Sequence, residues 1–346
     1  MENMMRNWSR RERIQAIANG ELADRAPVAA WRHFPGHEAS AASLAQAMLE
    51  FQATYDWDYM KVNPRAIYYH EAWGNEYDYS RYNDVLPTLM KHRIHDTHDL
   101  HSLQKLPGTV GPFGEQLAAL KLIKSQVPED LPIFQTIFTP IGVLANLCGL
   151  RSLGRYREAP REESALIKLL AEDRKGVHAA LRAIATTLAS YAAAVLETGV
   201  DGVFYAALGM ARTGYFTRDE WDEFVKPYDL IVLEALKAGV TMLHTCGIYG
   251  NPEWFVDYPI HILHWAESAT GNPTLRDSTA WIGRKVPMGG VDERLFGTGA
   301  AAEIAAKARD AVSVMAGRPF VLAPDCSVAI NSQEDELRAF RAAVEA

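Results

Sequence analysis

The 346-residue chain has only three cysteines, an odd number and too few for a disulfide framework. No run is long and apolar enough to span a bilayer, and the opening MENMMRNWSRRER has no hydrophobic signal core. Basic charge is not in excess: 35 Lys and Arg against 43 Asp and Glu leave a formal net charge of -8. That argues against a nucleic-acid surface or an anionic membrane as partner. No linker, low-complexity tract or compositional break divides the chain. These absences predict one domain over residues 1–346 in the reducing cytoplasm, with a small molecule as its ligand. There, cysteines at strand ends point to metal or catalysis more than to staples.

What is present is a large apolar fraction, 48%, ample for a sizeable core. Helical patterns cover residues 9–20, with Ser9 as N-cap and Gly20 as stop, and then 41–51, 113–125, 162–170, 173–198, 217–238, 300–315 and 333–344. Short apolar runs that read as strands lie at 27–31, 55–62, 131–137, 202–206, 240–245, 261–264, 285–290 and 320–323. Residues 66–106, rich in Tyr, His and Asp, have no clean period and read as excursion loops with a hairpin. Strands and helices alternating at this spacing predict an α/β fold with a parallel sheet. Near eight strands over this length favour a (β/α)8 TIM barrel with an N-terminal helical extension and loop excursions.

Two strand ends carry the chemistry. The run VTMLHTCG at 240–247 ends in His244 and Cys246, two positions apart and so on one face of a strand. The run PFVLAPDC at 319–326 delivers Cys326 where its strand should stop. One imidazole and two thiolates make a zinc site with a fourth position open to substrate or water. The alternative is two buried structural thiols and a hydrogen-bonded core histidine. Cys148, in the apolar stretch ANLCGL, reads as core.

Residues 11–17 with 24–28, the stretch FTRDEWDEFVKPY at 216–228, LHTCG at 243–247, MGGVD at 288–292 and LAPDC at 322–326 together resemble the uroporphyrinogen decarboxylase superfamily. The resemblance runs along nearly the whole chain and implies the (β/α)8 barrel. Its zinc-dependent, corrinoid-linked methyltransferase branch uses a His-x-Cys pair plus a distant Cys as zinc ligands, which map onto His244, Cys246 and Cys326. The decarboxylase branch shows an arginine-rich opening loop, where this chain has Arg32 alone, and a His near the final strand, where this chain has Cys326. The resemblance therefore implies Zn2+ as cofactor and a methyl group carried as methylcobalamin by a separate corrinoid protein. No Asp-x-His-x-x-Gly corrinoid signature occurs in the chain itself. A homodimer is a further expectation, since barrels of this group often pair.

Other candidates are set by position. Glu267, just past the 261–264 strand, is the preferred acidic group, with a solvated loop glutamate as the alternative. Tyr205 faces either the pocket or the packing behind it. Arg32 and His33 lie at the mouth of the first strand, where Arg32 could meet a carboxylate or phosphate, or simply a surface partner. Asp292 reads as a helix cap. Tyr68, Tyr69, His70 and Trp73 could form an aromatic lid or ordinary packing, and the same choice holds for Met210 and Arg212. Beyond methyl transfer, the same metal suits a zinc lyase or hydrolase. A cofactor-free decarboxylase and a binding protein with structural zinc complete the alternatives.

Overall fold

Runs such as IFQTIF and GVFYAAL are apolar at nearly every position, the composition of a strand covered on both faces, as in a parallel sheet. In the computed structural model, which describes residues 8–150, 155–156 and 161–345, that is what they form. The strands are β1 (Met60–Val62), β2 (Glu76–Asn83), β3 (Leu86–Lys91), β4 (Ile133–Phe138), β5 (Gly202–Leu208), β6 (Val240–Thr245), β7 (Ile262–Trp265), β8 (Val286–Val291) and β9 (Val321–Pro324). Seven of them make one curled parallel sheet in the order β1-β4-β5-β6-β7-β8-β9, with helices in the crossovers.

The expected first strand at 27–31 is not a regular one. It makes a single parallel bridge, Val28 to Leu322, where the Leu322 N–H donates to the Pro27 carbonyl (2.9 Å). On its other side the Asp58 N–H donates to the Val28 carbonyl (3.0 Å). The segment thus lies between β9 and the approach to β1, at the two open edges of the curled sheet. A full eighth strand is not formed among the described residues.

Three other expectations shift for local reasons. The strand expected from residue 55 begins only at Met60, because the helix Ala41–Tyr55 runs on until Asp56 takes a left-handed conformation (φ 54°) and stops it. The single helix expected over 217–238 is two, Arg218–Phe224 and Lys226–Glu234; Pro227, lacking an N–H, cannot continue the first ladder and sits instead in the opening turn of the second. The hairpin expected within 66–106 is β2–β3, turning at Asp84 (φ 57°).

The helix Arg174–Glu197 corrects the reading of the chain as free of membrane-length apolar runs: by length and composition it could cross a bilayer. Most of its apolar face is already used, because Val177, Leu181, Ile184, Leu188, Tyr191 and Val195 are fully buried in the core. Cys148 is likewise buried, and burial pushes its thiol up to about 12.

Candidate metal centre and substrate cavity

A parallel strand turns alternate side chains to the sheet's two faces, and its C-terminal end is where barrel sites form. Asn63 just after β1, Thr136 and Phe138 on β4, Phe204, Ala206 and Leu208 on β5, and His244 on β6 all line one cavity at that end. Cys246 follows β6 by one residue and Cys326 follows β9 by two, and both enter the same cavity.

His244, Cys246 and Cys326 converge, with ligand atoms within 4.8 Å of one another. The two Sγ atoms are 3.6 Å apart, and Cys326 Sγ is 3.7 Å from His244 Nε2. Tetrahedral zinc with Zn–S of about 2.3 Å and Zn–N of about 2.0 Å requires S···S near 3.8 Å and S···N near 3.5 Å. The donor set and spacing therefore fit such an ion. Without it, the buried thiols share a proton. The hydrogen bond from Cys246 holds Cys326 well below the ordinary thiol range, against burial and with help from Arg155 and His244. That same bond, with burial, pushes Cys246 up.

The loop after β6 is built to hold Cys246 in place. Leu208 adopts a left-handed conformation (φ 53°), rare for a branched residue, at a register shift between β5 and β6. Its carbonyl accepts the Cys246 N–H (2.9 Å). Gly247 follows at φ 83°, and a Cβ there would come within 2.6 Å of the Arg155 carbonyl and of Arg212 Nη2, so only glycine fits. Asn272 then ties the loop down, accepting the Gly250 N–H (2.7 Å) and donating to the Gly247 and Ala266 carbonyls.

His264 on β7 packs ring to ring with His244 and donates from Nε2 to the Pro324 carbonyl (3.0 Å). Burial, with His244 beside it, keeps its ring neutral. Asp325, next to Cys326, accepts the Ser268 N–H (2.9 Å), and burial raises its carboxyl well above the usual range.

The cavity's charges were not evident in the sequence. Lys61 is buried, its Nζ donating to Asn63 Oδ1 and lying 4.5 Å from the Phe204 ring centre and 5.2 Å from that of Trp31. Burial brings it down to about 7, although Cys326 and Glu38 oppose the shift. Arg155 donates to Glu293 (3.1 Å) and to the Ser327 carbonyl (3.3 Å), and Tyr156 also donates to Glu293. Cys326 above all, with Cys246 and Glu293, holds the Arg155 guanidinium charged in spite of its burial. Arg212 also lines the cavity, donating to the Arg155 carbonyl (3.3 Å). Among the described residues no Asp or Glu lines this cavity.

The remaining candidates lie elsewhere or act differently. The Tyr205 hydroxyl is behind the sheet, donating to buried Asp229 (2.7 Å), and does not reach the cavity. Glu267 accepts the Leu275 N–H (2.7 Å) and is not part of the ligand cluster. Arg32 donates to the Ile330 carbonyl (2.9 Å) and lies over Phe34 and Phe51, away from the cavity, whereas His33 lines it and pairs with Glu38 (2.9 Å). Asp292 caps a short turn, accepting the Arg294 N–H (2.9 Å). Tyr68 and Tyr69 are fully buried and stacked at 3.8 Å; Tyr69 donates to the Thr136 carbonyl (2.7 Å). Tyr69, His70 and Met210 are walls of the cavity, so the aromatic segment is wall and packing rather than a cover.

Residues 9–346 match the uroporphyrinogen decarboxylase (URO-D) family. The chain belongs to that family. No curated protein matches the chain. Among solved structures, the chain is similar to a methyltransferase from Methanosarcina mazei, at 20% identity over 97% of this chain and 98% of that one, with a TM-score of 0.79. It is also similar to a B12-independent methionine synthase from Shewanella sp. W3-18-1, at 15% identity over 88% and 86%, with a TM-score of 0.53. At these identities the likeness is one of fold, and it places this URO-D member among folds with the same curled sheet.

Proposed function

We propose that this URO-D family member is a zinc-dependent methyltransferase or demethylase on a (β/α)8 barrel, acting in the cytoplasm. The carrying observation is the His244–Cys246–Cys326 triad, three ligands of the right type and spacing at the wall of a cavity. Zinc bound there supplies the charge that keeps an acceptor thiol deprotonated at neutral pH. The methyl donor is methylcobalamin on a separate corrinoid protein: the acceptor's lone pair forms the new bond to carbon, and the Co–C electron pair stays on the corrinoid. Phe204, Trp31 and Tyr69 keep the cavity apolar beside the triad, and His264 holds His244 in orientation. The resemblance in fold to a protein described as a methyltransferase supports the reading.

The test is methylcobalamin demethylation with 2-mercaptoethanol as acceptor. Zinc-loaded wild type should accelerate it, and Cys326→Ser should not. Equal rates with and without protein would overturn the proposal. Cofactor-free decarboxylation is the second reading, favoured by Lys61, Arg155 and Arg212 in a cavity without carboxylates. Full activity in zinc-free protein would select it.

A further inference from the structure

A chain of hydrogen bonds fixes the tautomer of one cavity histidine. The Arg93 backbone N–H donates to Asn75 Oδ1 (2.9 Å), which orients the Asn75 amide. Asn75 Nδ2 must then be the donor, and it serves the Asn146 carbonyl (3.1 Å) and the Tyr77 hydroxyl oxygen (3.1 Å). With its oxygen receiving that N–H, Tyr77 directs its own proton to His70 Nδ1, 3.3 Å away. The His70 proton therefore resides on Nε2. Burial lowers the ring to about 3, so it is neutral throughout the physiological range.

His70 is 2% exposed, lines the substrate cavity, and its Nε2 has no partner among the described residues. A buried N–H without an acceptor is costly, and a fixed donor of this kind suits a ligand atom. The neighbouring lining residues narrow that atom's character. Lys61, Arg155 and Arg212 contribute positive charge with no carboxylate, while Trp31, Tyr69, Phe138 and Phe204 supply flat apolar surface.

We propose that His70 is a substrate-recognition residue, whose Nε2–H donates to a carboxylate-type oxygen on a planar, apolar substrate. Tyr77 and Asn75 are positioning residues that keep the proton on Nε2. The same walls disfavour amines, which bring a cation and no acceptor. This assignment rests on the reading of the cavity as the substrate site, and names the class of molecule that enters it.

The probes are benzoate and benzylamine, equal in size and opposite in charge, titrated into full-length protein. Histidine side-chain 15N NMR is the readout, with the His70 signal assigned from its loss in His70→Gln. The wild type should show His70 as the Nε2–H tautomer, and benzoate should shift that resonance saturably while benzylamine does not. His70→Leu should weaken benzoate about tenfold, and His70→Gln, which restores an N–H near the same place, should recover most of the loss. Tyr77→Phe should mix the two tautomers and weaken benzoate with the fold intact. The proposal is overturned if benzoate leaves the His70 signal unmoved, or if benzylamine moves it equally. It is equally overturned if folded His70→Leu binds benzoate as wild type does. Should His70→Leu not fold, the wild-type and His70→Gln titrations decide. Zinc content and demethylation, measured on the same preparation, separate this proposal from the functional one: benzoate bound at His70 in zinc-free, inactive protein would leave only the recognition role standing.

Discussion

The rings of His244 and His264 lie 4.6 Å apart with 29° between their planes, and His264 in turn donates to the Pro324 carbonyl (3.0 Å) two residues before Cys326. One buried side chain thus touches the β6 ligand and braces the strand that delivers the β9 ligand. Removing such support typically lowers metal affinity 10–100-fold (roughly) without touching a ligand. His264→Phe keeps the ring and removes the N–H, so zinc affinity measured by chelator competition should fall about tenfold. Unchanged affinity would show that the strand holds Cys326 without this bond.

Asp229 is fully buried between the Tyr205 and Tyr258 hydroxyls, and burial pushes its carboxyl up to about 7 although both phenols oppose the shift. The folded state then holds a proton that the unfolded state releases near pH 4. Stability from this group is full at low pH and falls as pH rises from about 4 to about 7, by at most about 4 kcal/mol. Asp229→Asn should flatten that part of the stability profile in chemical denaturation across pH 4 to 8. Parallel profiles for wild type and variant would contradict it.

Tyr205→Phe tests the same bond from the other side. It should cost about 1 kcal/mol of stability and leave zinc content and demethylation as in wild type. A folded variant that loses activity would return Tyr205 to the chemistry.

The three thiols should separate by reactivity. In metal-stripped protein, iodoacetamide at neutral pH should modify Cys326 first, because it is partly exposed and its thiol is held low, while Cys148, pushed up to about 12, stays unmodified. Zinc should protect Cys326. Mass spectrometry of peptides reads both outcomes, and labelling of Cys148 as fast as Cys326 would contradict the assignment.

The ligands were legible because a metal site at strand ends leaves a local trace: His244 and Cys246 at a two-residue spacing, and Cys326 at the close of an apolar run. Tyr205 shows how parity decides direction. Phe204 and Ala206 line the cavity, so Tyr205 between them must face the helices. The same rule places Lys61 with Asn63 on the cavity side of β1, a buried cation that an apolar reading of the run passes over. Arg155, Asn272 and His70 left no such trace. They come from irregular segments, and their places depend on contacts distant in sequence, such as Arg155 to Ser327 and Asn75 to Asn146. The first barrel strand was legible as an apolar run, but its pairing, one bridge to Leu322, is a tertiary property.

The most direct test of the central claim is elemental analysis of purified wild type beside Cys326→Ser. About one zinc per chain in the wild type, largely lost in the folded variant, is the expected result for a three-residue site. Zinc-free wild type that still takes up none when the ion is supplied, or a variant that retains it in full, would contradict the site and the methyl-transfer reading built on it.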